Sequence, residues 1–149
     1  MGFLRNLKLK QVRSFAKGAC KALFLGFNIA QAEVGSGKLK IESYGDLAAK
    51  ALSARPRWKM IEKNIFEYKD GRQRNITAED SLADVVHDVV FMEMQEFIEN
   101  DKNPSEIINA IMEEILGFFK MTEEEESEFV RKKTREGWYV AALSNKFMK

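Results

Sequence analysis

Cysteine, histidine, proline and long apolar runs are all scarce in this chain, and each scarcity removes a class of protein. A single cysteine, Cys20, excludes an internal disulfide framework and any zinc site built from several thiolates. A single histidine, His87, cannot supply the two Glu-x-x-His motifs of a ferritin-like dinuclear centre. Two prolines and nine glycines leave little room for disordered linker. The uncharged run over 22–32 has about half of the ~20 apolar residues that a membrane-spanning helix needs.

What is present is charge, and it is unevenly placed. The 149 residues carry a formal net charge of +1. Cut into segments, however, residues 1–40 hold +7, 41–75 hold +3, 76–130 hold −14 and 131–149 hold +5. Such blocks either face one another inside the fold or present surfaces of opposite sign to partners. At this length the chain can bury roughly two-thirds of its unfolded surface and fold alone.

Apolar periodicity predicts an all-α, single-domain bundle of five or six helices, headed by a long basic amphipathic helix over residues 1–35 and completed by a bundle over 36–149. In the first helix Val12, Phe15, Ala19, Ala22, Leu23, Gly26, Phe27 and Ala30 form the expected packing stripe. Within it Gly18, Ala22, Gly26 and Ala30 repeat every four residues as a small-residue ridge that lets another backbone approach. A short helix over "YGDLAAKALSA" and another over "RPRWKMIEKNIFEYKDG" follow. Asp70-Gly71 fits a helix cap or a hairpin turn; the cap is favoured, because "RQRNI" shows almost no apolar alternation. Thr77 with Asp80 is the expected cap of a helix running to Asn100. Pro104 opens a central helix, and the Thr122/Glu125 capping box opens a last one running towards Phe147.

No motif carries catalysis, and no cofactor is expected. "VGSGKL" has the GK of a phosphate loop, but no glycine precedes Gly37 at the required distance, Ala32 lying five and Glu33 four residues before it, and Leu39 stands where Ser or Thr belongs. Asp84 and His87 share a helical face, so a helical metal-binding enzyme around them is one alternative reading. It would need further ligands such as Glu93, Glu96, Glu113 or Glu114. A second alternative is nucleic-acid association through the polyanion patch of Arg55, Arg57, Trp58, Lys59, Arg72 and Arg74, where guanidinium groups surround an aromatic.

The stretch "SFAKGACKALFLGFNIAQAE" admits three readings. Its basic front, apolar centre and small residues at Ala30 and Ala32 have the form of a secretory signal cleaved near Ala32, although Asn28 and Gln31 interrupt it. As a membrane-interface helix it would put Phe3, Leu4, Leu7, Val12 and Phe15 into the acyl boundary. Arg5, Lys8, Lys10, Arg13, Lys17 and Lys21 would then meet anionic headgroups. As a packing helix it would dock its small-residue ridge on the same chain or a second copy. The leading expectation is a non-enzymatic, cytoplasmic interaction protein, with peripheral membrane attachment as a variant. It self-associates, or docks on an anionic membrane or acidic protein partner, through this helix.

Overall fold

The computed structural model describes residues 2–35 and 44–139, apart from the side chains of Val34, Tyr44 and Gly45. Among these residues are six helices and a three-stranded sheet: α1 Gly2–Gly35, α2 Tyr44–Ser53, β1 Trp58–Glu62, β2 Ile65–Tyr68, β3 Gln73–Asn75, α3 Leu82–Glu93, α4 Gln95–Glu99, α5 Pro104–Phe119 and α6 Glu123–Arg135. The mostly helical class and the long first helix are as the periodicity predicts. The chain divides into two compact units, one of residues 1–18 with 90–149 and one of 19–89, so α1 and α3 each contribute to both.

In the first unit Val12 and Ala16 of α1 are buried, as are Ile98 of α4 and Ile107, Ile108, Ala110, Ile111, Met112 and Ile115 of α5. This broad buried face of α5 is the one its isoleucine-rich sequence requires. The predicted helix over 78–100 is broken at the fully buried Met94, which separates α3 from α4. At the start of α6, Thr122 Oγ1 accepts the Glu125 backbone N–H while Glu125 accepts that of Thr122, completing the expected capping box. The helix ends at Arg135, well before the predicted stop. Gly137 (φ 88°) donates to Thr134, and Trp138 to Lys133, the paired bonds of a Schellman termination. Residues 140–149, including the rest of the predicted helix, lie outside the described residues.

In the second unit Ala19, Cys20, Leu23, Phe27 and Ala30 of α1 are buried, together with Ala48, Ala51 and Leu52 of α2 and Val85, Val86 and Val89 of α3. The expected helix over 56–71 is instead an antiparallel meander, with Trp58 opposite Tyr68, Met60 opposite Phe66, and Phe66 opposite Arg74. Two local signals outweigh the helical spacing. Asn64 takes a left-handed conformation (φ 60°) in the turn between β1 and β2. Asp70-Gly71 turns β2 into β3, with Gly71 at φ 93° and Asp70 accepting the Arg72 backbone N–H. Trp58 packs on Tyr68 at 5.0 Å between ring centroids. The helix after the meander begins one turn later than predicted. Ser81 Oγ accepts the Asp84 backbone N–H, and Asp84 in return accepts that of Ser81, whereas Thr77 and Asp80 close the preceding turn.

Candidate functional site

The long basic helix divides its cations between two jobs. Arg5, Lys8 and Arg13 turn towards carboxylates within the first unit. Arg5 Nη1 reaches both oxygens of Asp101 at 2.5 Å, its Nε donates to Glu106, and its Nη2 pairs with Glu106 without hydrogen-bond geometry. Lys8 Nζ lies 3.7 Å from Asp101, and Arg13 reaches Glu113 and Glu114 at 3.3 Å. The Asp101 side chain is only 1% exposed. Burial opposes its ionisation. The hydrogen bonds from Arg5 and the Asn103 backbone, with the charges of Lys8 and Arg5, outweigh that and hold its carboxyl below the usual range. The Asp101 hydrogen bond in turn raises Arg5 above its ordinary value, against the effect of desolvation and with Glu106 adding to it.

Lys10 and Lys17 remain exposed in this unit, and Lys21 is exposed in the other. Lys10 and Lys17 follow Phe3 by seven and fourteen residues, close to two and four helical turns, so they share its side of the helix. On that side Phe3 and Leu7 are 76% and 45% exposed, and Leu4, about 100° further round the helix from Phe3, is 68% exposed. No acidic residue occurs in α1 before Glu33. The first two turns therefore present exposed apolar side chains, with Lys10 about two turns and Lys17 about four turns behind Phe3 on its side of the helix.

The small-residue ridge is split by helix geometry. A four-residue step overshoots a 3.6-residue turn by about 40°, so the ridge winds around the helix. Gly18 and Ala22 consequently face outward, whereas Ala30 is buried and Gly26 packs against α2. A Cβ built on Gly26 would lie 3.2 Å from the Ala51 backbone; one built on Gly18 would meet nothing within 4 Å.

The residues of the polyanion patch are largely engaged within the second unit. Arg74 pairs with Asp80 and with Asp88, each at 2.8 Å. Burial opposes the charge of Arg74, yet the hydrogen bonds it donates to Asp80 and Asp88 and the attraction of both carboxylates raise it above its ordinary value. Asp80 is likewise lowered, burial being outweighed by Arg74 and the Thr77 backbone N–H. Arg72 pairs with Asp70 and lies over the Tyr68 ring, and Trp58 is buried beside that ring. Arg57 and Lys59 are exposed, and Arg55 is partly so.

Asp84 caps Ser81, while His87, fully buried, shares its Nδ1 with Asp88 at 2.8 Å. Among the described residues no group of three or more His, Cys, Asp or Glu side chains is placed to hold a metal ion. No described helix is long and apolar enough to cross a membrane. The internal ion pairs of α1 could not be assigned from sequence, because Arg5 and Asp101 lie far apart in the chain. The inward Arg74 was hidden for a different reason: in an alternation count an arginine reads as an outward residue. Comparison with protein-family models, curated proteins and solved structures finds no match.

Proposed function

We propose that this is a non-enzymatic docking protein, which engages an anionic partner through the outward side of the first half of α1. One observation carries the reading: Phe3 and Leu7 stand exposed on the side that also holds Lys10 and Lys17, with the exposed Leu4 at its edge and no acid nearby in the helix. The lysines attract the partner and the apolar side chains are then withdrawn from water. Arg5, Lys8 and Arg13 serve a different purpose, tying the helix to Asp101, Glu106, Glu113 and Glu114. The docking set is thereby reduced from six cations to Lys10 and Lys17, with Lys21 further along.

Retention on a sulfonate resin tests this at neutral pH, because the near-zero net charge gives no reason for binding unless cations are clustered. The wild type should bind at low salt and elute as salt rises, and Lys10→Glu/Lys17→Glu should pass through. Arg57→Glu/Lys59→Glu removes as much charge from another exposed basic cluster. If that pair abolishes retention while the α1 pair does not, the docking surface lies on the sheet-bearing unit and this reading fails.

A further inference from the structure

We infer that the anionic partner of this surface is a lipid bilayer, into which Phe3, Leu4 and Leu7 insert as a preordered apolar wedge. The inference rests on the docking reading above and specifies its partner. Area argues first. The three side chains offer on the order of 300 Å² of apolar surface, against the roughly 800 Å² per partner of a stable protein interface. A bilayer imposes no such requirement, since acyl chains close around whatever enters and need no complementary shape.

Position argues next. The most exposed apolar side chains, Phe3 and Leu4, sit in the first turn of the helix, with Leu7 one turn on. They lie within the first two turns of the helix, so a shallow insertion there buries them without immersing Lys10, which is about 10 Å from Phe3 along the axis. Charge argues last. Lys10 lies about 10 Å behind Phe3 on its side of the helix, where it would meet phosphate and carboxylate headgroups as the wedge enters, and Lys17 follows two turns further on to attract the anionic surface.

The clasp on Asp101 gives the wedge its order. Arg5 lies between Leu4 and Leu7 in sequence, yet its guanidinium is drawn to Asp101 and Glu106. The first turns of α1 are therefore held against the fold before any membrane is met, and binding need not supply the entropy of forming the helix.

Flotation with vesicles tests the inference, using phosphatidylcholine alone or mixed equally with phosphatidylserine, at low and high salt. The full chain should float with the mixed vesicles at low salt, far less with the neutral ones, and less again as salt rises. Phe3→Ser/Leu4→Ser should cut the bound fraction at least tenfold while leaving elution from the sulfonate resin unchanged. A chain retained by the resin that fails to float with anionic vesicles keeps the docking reading and overturns the lipid partner. Flotation unaffected by the Phe3/Leu4 substitutions overturns the wedge. If the chain neither floats nor binds the resin, both readings fall. Sedimentation without vesicles supplies the remaining arm: an oligomer broken by Phe3→Ser/Leu4→Ser, in a chain that does not float, makes a second copy the occupant.

Discussion

Arg74 is the residue on which the second unit depends most for electrostatic balance. Its guanidinium satisfies Asp80 and Asp88, whose side chains are only 14% and 3% exposed. Arg74→Ala leaves both carboxylates without that partner, and the loss should be about 3–5 kcal/mol in urea unfolding. Arg74→Lys keeps the charge but loses the forked geometry, so it should recover only part of the loss. Acid acts on the same contacts. Asp80 and Asp101 both ionise below the ordinary value of 3.8 in the folded chain. Groups lowered by folding contribute stability that is complete above their unfolded pKa and is lost as pH falls through the folded one. Unfolding midpoints should therefore be steady near neutrality and fall below about pH 4. Asp101→Asn should reduce that acid dependence while lowering stability at neutral pH. Arg5 and Arg74, raised from an already alkaline value, stay charged throughout this range and add no slope.

At the scale of elements, α1 contains two glycines with opposite demands. Gly18→Ala meets open space, so it should stabilise the helix by roughly 0.5–1 kcal/mol. Gly26→Leu must displace the Ala51 backbone and should destabilise by about 1–3 kcal/mol. Thermal unfolding of the two variants should thus move Tm in opposite directions. This asymmetry marks the limit of what a residue pattern discloses. The spacing of apolar positions identified α1, α2 and α5, each of which buries apolar side chains, whereas α6, whose buried residue is Lys133, was legible from its Thr122/Glu125 capping box. It failed over 56–75, where Trp58, Ile61, Ile65 and Tyr68 happen to recur at helical spacing while the backbone is set by turns at Asn64 and Gly71. β3 offers almost no apolar signal, since its central Arg74 is balanced by carboxylates from outside the strand. Gly137 was legible in principle: a glycine two residues after a basic last turn is the signature of a helix end.

For the molecule as a whole, the charge blocks of the described residues resolve in part into local closures, leaving exposed cations along α1, around β1 and in α6. Arg5 and Arg13 meet the acidic segment inside the first unit, and Arg74 meets Asp80 and Asp88 inside the second. Only the total in each block could be read from the sequence; which cations were left over required the fold. The consequence is that the first half of α1 contributes buried side chains and ion pairs to the first unit. Deleting residues 1–18 removes the buried Val12 and Ala16 and takes Arg5 and Lys8 away from the carboxylate of Asp101. Burying Val12 alone is worth about 1.5–3 kcal/mol, and the loss of Ala16 and of the Arg5–Asp101 pair adds to that. Those losses are a large fraction of the stability of an ordinary domain, about 5–15 kcal/mol. The deletion should therefore destabilise the chain strongly in urea unfolding, and its failure to bind a membrane would say nothing about docking. Phe3→Ser/Leu4→Ser removes only exposed apolar surface, so its unfolding midpoint should stay within about 0.5 kcal/mol of the wild type. Loss of vesicle binding in that folded variant is then a property of the surface itself.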